Sequence, residues 1–233
     1  MRRLLTNIML CFSFASQAHA QIRETTSFEA IESAIKEGDK DTLVIFDVKS
    51  VLILPQPKES DLLAEYSPGG REKLYSKILI SSKAVLVDPN ILNVLATIKA
   101  KKIKSIALTS GYTGRFGDIE KREDLRIQKL KEVGVNFNNS FPEIKPIIFK
   151  NIKNANPKHF PMFKEGIVFT CRLPKGEVLQ EFLNQANFKP KKIIFVDNTL
   201  KNIKSVQEFC QNAKIDFYGF YYTWVNGTKV TTS

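Results

Sequence analysis

Two apolar runs, each followed directly by an aspartate, constrain the fold of this chain more than any other feature. Residues 43–46 (LVIF) precede Asp47, and residues 193–196 (IIFV) precede Asp197. Uninterrupted apolar runs are typical of strands that are buried on both faces of a parallel sheet. The carboxyl ends of parallel strands lie at one edge, where open α/β folds bind ligands. We therefore expect the two carboxylates to meet at that edge.

The rest of the chain alternates between patterns that predict strands and patterns that predict helices. Short apolar or aromatic runs indicate further strands at 106–109, 167–170 and 217–224. Helical spacing, with capping residues before it or glycine after it, indicates helices at 28–35, 89–98, 119–133, 176–185 and 203–209. Alternating strands and helices predict an α/β fold with a mostly parallel sheet and helices on both faces.

Two long segments lack a clear period. Residues 52–88 contain Pro55, Pro57 and the turn Pro68-Gly69-Gly70, and residues 135–165 contain several prolines, asparagines and isolated phenylalanines. Such segments are typical of loops or of small elements inserted between the main ones. We predict one domain over residues 21–233 with small cap-like insertions within 52–88 and 135–165, or else long connections there.

The first twenty residues have the pattern of a signal peptide. Arg2 and Arg3 precede an apolar stretch at 4–14, and Ala18-His19-Ala20 forms a small-x-small cleavage site. The apolar stretch is too short to span a bilayer as a helix, so no membrane anchor is expected after cleavage. The pattern predicts an exported protein, periplasmic or secreted, that begins near Gln21.

Composition narrows the classes of partner and of metal site. The chain carries a formal net charge of +11, but its lysines are spread out and no aromatic-interleaved recognition motif accompanies them. No nucleic acid is therefore expected as a partner, whereas a small phosphorylated substrate or another anion is compatible, and a protein partner stays open. The one histidine after residue 20, His159, excludes multi-histidine metal sites and is expected to be an ordinary surface or cap residue. Cys171 and Cys210 could form a disulfide in an oxidising compartment but need not.

Four polar elements occur in a characteristic order along these strands and helices. Asp47, Thr109 and Asp197-Asn198 each end a predicted strand, and Lys175 begins a predicted helix. In this order the sequence resembles the haloacid dehalogenase-like (HAD) superfamily, most clearly in LVIFDVKSVL, IALTSG, the Lys175-Gly176 helix start and IIFVDNTLKN. The signal peptide with LTSG, GIVFT, KGEVL and YYT is similar to an exported bacterial HAD-like family of unassigned function. The resemblance implies a Rossmann-like HAD core.

The resemblance also implies roles for particular residues. Asp47 would be the nucleophile that takes a phosphoryl group, Thr109 would donate a hydrogen bond to its oxygens, and Lys175 would neutralise charge. Ser110 and Gly111, which follow Thr109, would bind the substrate. Mg²⁺ would be held by Asp47, the Lys49 carbonyl and Asp197, with Asn198 beside them. A hydroxyl, an ammonium and a hard cation suit the charge that spreads over a transferring phosphoryl group.

Lys49 is the main departure from the pattern of HAD phosphatases. It stands two residues after Asp47, where these phosphatases have an aspartate that protonates the leaving group, a function worth roughly 10²–10⁴-fold in rate. We expect Lys49 to point toward Asp47 if the extended backbone continues. An ammonium 4 Å from a divalent cation is repelled by roughly 8 kcal/mol at a dielectric of about 20. Either Lys49 turns away from a magnesium site, or its ammonium replaces the cation and pairs with Asp47 and Asp197.

Asn198 is a second departure, because the related pattern commonly has two adjacent acids there. A neutral amide lowers the negative charge that could hold Mg²⁺. We expect a phosphohydrolase-type protein that is catalytically weak or inactive. Two alternatives stay open: an active hydrolase for substrates with good leaving groups, and a non-enzymatic interaction module.

Overall fold

The structure, a computed structural model, describes residues 19–56, 71–153, 155–156, 158–225 and 228–229. Its strands, in chain order, are β1 (Ala20–Thr25), β2 (Thr42–Phe46), β3 (Ile53–Gln56), β4 (Lys83–Leu86), β5 (Lys104–Thr109), β6 (Ile147–Ile148), β7 (Met162–Lys164), β8 (Ile167–Phe169), β9 (Lys192–Asp197), β10 (Asp216–Tyr222), β11 (Trp224–Val225) and β12 (Thr228–Lys229). Its helices are α1 (Phe28–Lys36), α2 (Arg71–Ser81), α3 (Asn90–Ala100), α4 (Arg122–Glu132), α5 (Lys175–Gln185) and α6 (Leu200–Ala213).

The main sheet has eight strands in the order β1-β10-β9-β2-β5-β8-β7-β6. Neighbours from β1 through β8 run parallel, while β7 and β6 add an antiparallel edge. The predicted α/β fold with a mostly parallel sheet is therefore confirmed. Strands β2 and β9, which carry the two apolar runs, are central neighbours, so that both of their faces are covered.

Helices cover both faces of the sheet, because successive side chains of a strand point to opposite faces. On β2, Val44 and Phe46 belong to a buried cluster shared with α1, α3 and α4. Leu43 and Ile45 belong to the opposite cluster, which is shared with α5 and α6. Fully burying each such side chain contributes roughly 1.5–3 kcal/mol. The alternation along this one strand thus joins the two layers into a single folded unit.

Several elements differ from the sequence-based expectation, and two of them show the physical reason. Strand β1 was not predicted, because an edge strand has only a partly buried face, and here no residue of β1 is fully buried. Helix α4 begins at Arg122 rather than at 119. Ile119 is instead held by paired backbone hydrogen bonds with Phe116, of 2.8 and 2.9 Å, which are incompatible with helix formation there.

The segment 52–88 contains a two-stranded antiparallel sheet, β3 with β4, and α2 between them. Residues 57–70 lie outside the described residues. Helix α2 contacts the loop before α4, since the Gly117 N–H donates to Glu72 Oε1 (2.9 Å) and the Asp118 N–H donates to Ser76 Oγ (2.9 Å). That this segment acts as a cap stays a prediction.

The segment 135–165 is irregular apart from β6 and β7, and positions 154 and 157 lie outside the described residues. Its aromatic side chains are part of the core: Phe141 and Phe149 are buried in the cluster formed with α5 and α6. The Phe141 ring stands edge-on to Phe182 at 5.3 Å between centroids. A cap role for this segment also stays a prediction.

The predicted signal peptide falls on residues 1–20, of which 1–18 lie outside the described residues, and export stays a prediction. The two described residues belong to the sheet edge. The His19 N–H donates to Asp216 Oδ1 (2.8 Å), and Ala20 begins β1 opposite Phe217. In the part of the chain that the structure describes, no helix is both long and apolar enough to cross a membrane.

The two cysteines, whose pairing the sequence left open, are both free and buried. Cys171 follows β8, with its Sγ 3.6 Å from Thr113 Oγ1, and Cys210 lies in α6 within the core. Burial raises the pKa of the Cys210 thiol to about 12 and also raises the pKa of Cys171. Both thiols are therefore poor nucleophiles at neutral pH.

Candidate functional site

Asp47 and Asp197 lie next to each other at the carboxyl edge of the sheet, as the sequence predicts. The register pairs Phe46 of β2 with Val196 of β9, and the Asp47 N–H donates to the Val196 carbonyl (2.8 Å). Asp47 follows Phe46 and Asp197 follows Val196, so parallel pairing of the two strands alone brings the aspartate side chains together. Asp47 is 7% exposed and Asp197 is fully buried.

The side chain of Lys175 joins the two aspartates. Its Nζ lies 2.5 Å from Asp47 Oδ1 and 2.6 Å from Asp197 Oδ2, and the Lys175 side chain has no exposed surface. Burying charges is costly unless they are paired and hydrogen-bonded. We call these three residues the buried ion triad. Its formal charge of −1 is enclosed by the ends of β2 and β9 and the start of α5.

The charge state of the triad follows from burial and mutual attraction. Burial would lower the pKa of Lys175, but the carboxylates of Asp197 and Asp47 outweigh it and raise that pKa. Burial also raises the pKa of Asp197 to about 6, an effect that Lys175 opposes and that Asp47 increases. At neutral pH the lysine is therefore an ammonium and Asp197 a carboxylate.

Both oxygens of Asp197 are filled by donors of the chain itself. Oδ1 accepts from the Thr199 N–H (2.8 Å) and from Asn202 Nδ2 (3.2 Å). Oδ2 accepts from Lys175 Nζ and from Asn202 Nδ2 (3.1 Å). A carboxylate offers about four acceptor positions. Asn202, in the first turn of α6, thus completes the shell around Asp197.

Helix α5 positions Lys175 through an unusually close contact with α6. Gly176, the next residue, donates its N–H to Ser205 Oγ (3.0 Å). A Cβ at position 176 would lie 2.1 Å from the Ser205 carbonyl oxygen, which is backbone and cannot rotate away. Only glycine permits this approach, and the approach places the first residue of α5 over the ends of β2 and β9.

The oxygen ligands present are of the kind that Mg²⁺ prefers, but their arrangement does not fit the ion between Asp47 and Asp197. The Lys175 ammonium already occupies that position, and the Asp197 oxygens are saturated by N–H donors. Among the described residues, no group of three or more His, Cys, Asp or Glu side chains could hold a metal. Asn198 is half-buried beside Asp197. Magnesium binding stays a prediction.

Lys49 does not follow the extended geometry that the sequence suggested. Strand β2 ends at Phe46, and the chain then turns, with the Leu52 and Ile53 N–H groups both donating to the Val48 carbonyl (3.0 Å each). The Lys49 side chain is exposed and lines a neighbouring cavity. The ammonium between the carboxylates belongs to Lys175, not to Lys49, and the alternative in which Lys49 replaces the cation is corrected accordingly.

Thr109 is the last residue of β5 and is buried. It lies two positions after Ala107, which pairs with Phe46 of β2. Its Oγ1 accepts from the Gly111 N–H (3.3 Å), and its carbonyl accepts from the Thr170 N–H (2.8 Å). Ser110 and Gly111 are half-buried and line the same cavity as Lys49. This loop therefore lies between the triad and the cavity, and its substrate-binding role stays a prediction.

Several residues beside the cavity were missed from the sequence because they belong to no motif. Arg122 begins α4, Arg172 follows β8, and both guanidinium groups lie against the Tyr112 ring. His159 is half-buried, with its Nδ1 2.9 Å from Arg122 Nη2 and 2.9 Å from the Thr113 carbonyl. It is thus part of this cluster rather than an ordinary surface or cap residue. Only the tertiary structure brings these distant positions together.

We expect the Asp197 carboxyl to titrate near pH 6 in the folded protein. Its folded pKa is above the ordinary value of 3.8, so between about pH 4 and 6 the native state binds a proton more readily than the unfolded chain. The contribution of this group to stability therefore falls as pH rises through that window. Carbon-13 NMR of aspartate carboxyls, assigned with Asp197→Asn, measures the midpoint. A midpoint below pH 4 would mean that the attraction of Lys175 lowers the pKa of Asp197 more than burial raises it.

Comparison with known proteins places the chain among bacterial relatives. A Rickettsia conorii protein, described as uncharacterized, is 30% identical, and the match covers 95% of this chain and 83% of that one. A Chlamydia pneumoniae protein, named as a candidate outer membrane protein, is 25% identical over 96% of this chain and 85% of its own. A solved hydrolase of the haloacid dehalogenase-like family from Streptococcus pneumoniae has a TM-score of 0.39 at 12% identity, covering 76% of this chain and 93% of that one.

The family model that matches covers most of the domain. It extends over residues 72–232 and includes the triad residues Lys175 and Asp197, both cysteines and the cavity residues from Tyr75 onward. The chain therefore belongs to the family described as "Protein of unknown function (DUF2608)".

Proposed function

We propose that this chain is an exported HAD-like protein that binds a small phosphorylated or otherwise anionic ligand and has little or no magnesium-dependent phosphatase turnover. The observation that carries the proposal is Lys49, which is exposed in the turn after β2 at the position where HAD phosphatases have their acid-base aspartate, together with a Lys175 ammonium that is bonded to both Asp47 and Asp197. In a working phosphohydrolase of this kind, one carboxylate must attack phosphorus and a cation must offset the negative charge. Here a side chain of the protein itself occupies the position between the two acids.

The triad limits Asp47 as a nucleophile in two ways. Its Oδ1 is held by Lys175 at 2.5 Å, and its side chain is only 10% exposed. An attacking oxygen must reach the phosphorus in line with the leaving group, and an oxygen in a short charge-assisted bond gives up that bond to do so. Asp47 Oδ2 is the oxygen that this bond leaves for attack.

The position that serves in acid-base catalysis is also changed. Lys49 is exposed in the turn after β2, and it has no carboxyl group to protonate a leaving oxygen or to activate water. Loss of general acid-base catalysis alone lowers a rate by roughly 10²–10⁴-fold. The changes at Lys49 and in the triad therefore act in the same direction.

Anion binding is supported by what surrounds the triad. The cavity beside it, into which Ser110 and Gly111 face, is lined by lysines and arginines and by no aspartate or glutamate of the described residues. The predicted signal peptide and the name of the Chlamydia pneumoniae relative agree with a location in the bacterial envelope. These features favour a binding protein derived from a hydrolase fold.

The test compares hydrolysis of an aryl phosphate by the purified parent chain and by Asp47→Asn, each with and without Mg²⁺. Removing a working catalytic group costs roughly 10⁴-fold or more, whereas we expect the parent to exceed Asp47→Asn by less than about tenfold. Inorganic phosphate released over time is the measurement. Mg²⁺-dependent turnover that disappears in Asp47→Asn would reject the proposal.

A second variant separates the two causes of low activity. In Lys49→Asp the missing carboxyl is restored while the Lys175 bridge is left intact, and we expect the rate to stay close to that of the parent. A rise of roughly a hundredfold or more, the size of a general acid-base contribution, would show that Lys49 alone limits the chemistry. Lys83→Asp, at another lysine that lines the cavity, makes the same charge change away from the Asp47 turn and serves as the control.

A further inference from the structure

Beside the triad lies a cavity of about 240 Å³ that has two chemically different walls. One wall follows the carboxyl ends of β5 and β8 and the start of α4, and it presents Tyr112, Arg122 and Arg172. The other wall comes from β3, α2 and β4 and is mostly apolar apart from Ser82 and Lys83, with Leu54 and Leu79 half-buried at its surface. A cavity with one cationic and one apolar wall matches a ligand that has an anionic group and an apolar body.

The cationic wall is built around one aromatic ring. Arg122 Cζ lies 5.1 Å and Arg172 Cζ lies 5.3 Å from the centroid of Tyr112, so that two guanidinium groups share a single ring. Burial lowers the pKa of Arg122, whereas the carboxylates of Glu123 and Glu72 act to raise it; both also accept hydrogen bonds from the backbone, Glu123 Oε2 from the Gly114 N–H and Glu72 Oε1 from the Gly117 N–H. Two neighbouring cations thus face a cavity that no carboxylate from the described part of the chain lines.

Arg122 has donor capacity left over. Its Nη2 donates to the Thr113 carbonyl (2.9 Å) and lies 2.9 Å from His159 Nδ1, but its buried Nε has no hydrogen-bond partner among the described residues. A buried N–H without an acceptor destabilises the protein, and a ligand in the cavity reaches this nitrogen only if the guanidinium turns toward it. Guanidinium groups bind phosphate through paired N–H donors, so a phosphate oxygen is a suitable acceptor here.

The backbone that presents Arg172 is strained. Cys171 and Arg172 have φ angles of +50° and +67°, the left-handed region that residues with a Cβ rarely adopt, and they do so consecutively. The turn is held by the Cys171 N–H, which donates to the Gly111 carbonyl (3.2 Å), and by the Leu173 N–H, which donates to Thr170 (2.9 Å). Strain of this kind persists where surrounding contacts enforce it, and it is concentrated at ligand sites.

We propose that Tyr112, Arg122 and Arg172 bind the phosphate of a small organic phosphate monoester whose apolar body contacts Leu54 and Leu79. This anion site is separate from the buried ion triad. The inference rests on the proposed function and names the class of its ligand. The dianionic group lies between the two guanidiniums, and the organic group fills the aliphatic part of the cavity. Loss of the arginines would remove the attraction for the anionic group, and loss of the leucines would remove the apolar contact with the organic group.

The experiment measures binding of benzylphosphonate, which cannot be hydrolysed at oxygen and so separates binding from turnover. Calorimetry on the full chain is expected to show saturable binding by the parent and at least tenfold weaker binding by Arg172→Gln. Arg115→Gln removes the same charge from an exposed position outside the cavity lining and is expected to bind like the parent. Inorganic phosphate, which lacks the apolar body, is expected to bind at least tenfold more weakly than benzylphosphonate.

Each other outcome has a definite meaning. Equal affinity of Arg172→Gln and the parent for benzylphosphonate would reject the arginine site. Equal affinity of the parent for inorganic phosphate and benzylphosphonate would reject the role of the apolar wall. Arg172→Lys, which keeps the charge but loses the paired N–H donors, is expected to lie between the parent and Arg172→Gln. If Asp47→Asn abolishes binding while Arg172→Gln preserves it, the ligand occupies the triad side, which rejects this inference and leaves the proposed function intact. Rapid phosphatase turnover would reject the proposed function without changing the binding result.

Discussion

Replacing Lys175 with methionine is expected to lower the free energy of unfolding by about 3–5 kcal/mol, the usual cost of breaking a buried ion pair. Methionine keeps the unbranched length of lysine but leaves two carboxylates facing each other without the charge between them. Asp197 is fully buried, so solvent cannot replace the lost partner. Urea denaturation followed by circular dichroism measures the change, and a loss below about 1 kcal/mol would contradict the buried ion triad.

Two comparisons show whether charge, and not packing, causes that loss. The triple variant Asp47→Asn, Lys175→Met and Asp197→Asn has no charge at these positions, and replacing a whole buried ion network is often neutral, so we expect it to recover most of the stability. Mg²⁺ is expected to stabilise Lys175→Met, because the position between the carboxylates is then open, and to leave the parent unchanged. Equal stabilisation of both would mean that the ion binds elsewhere.

Gly176→Ala is expected to be the second most destabilising change, with a loss of about 3 kcal/mol, at the upper end of overpacking effects. The added Cβ would meet the Ser205 carbonyl oxygen at 2.1 Å, its carbon at 2.8 Å and Phe209 Cβ at 3.2 Å. The first two atoms are backbone, so α5 and α6 must move apart. Alanine gains at most about 1 kcal/mol in helix propensity over glycine, which does not offset this cost.

The matched control is Gly111→Ala, in the loop beside the triad. Its nearest neighbour would be Thr109 Oγ1 at 3.5 Å, an ordinary contact, so we expect the unfolding free energy to change by less than about 1 kcal/mol. Thermal and urea denaturation of both variants against the parent give the comparison. Similar stabilities for Gly176→Ala and the parent would show that the α5–α6 contact is looser than the structure indicates.

The chain order of the motifs was sufficient to predict where the main site residues lie. Asp47 and Asp197 end apolar strands, and Lys175 begins a helix, so a parallel sheet brings their backbones to one edge whatever the loops do. Lys49 was harder to place, because its direction depends on where β2 stops. The strand ends at Phe46, and the turn that follows removes the alternation on which the prediction rested.

The cluster around Tyr112 could not be predicted. Tyr112, Arg122 and Arg172 lie in a loop, at a helix start and in a strained turn, and neither arginine follows a periodic pattern. Strand β1 escaped prediction for a related reason, since an edge strand buries too little surface to show a clear alternation. In both cases the contact depends on residues distant in the sequence, and local patterns contain no information about them.

The sequence by itself determined the α/β architecture and the common edge of Asp47, Thr109 and Asp197, because hydrophobic periodicity and parallel strand direction are local properties. The tertiary structure alone decided which cation lies between the carboxylates. Lys175 reaches both of them because Gly176 allows α5 to approach the α6 backbone, while Lys49 lies exposed in the turn after β2. Close packing between distant segments set that outcome, and it places a buried ion pair between Asp47 and Asp197.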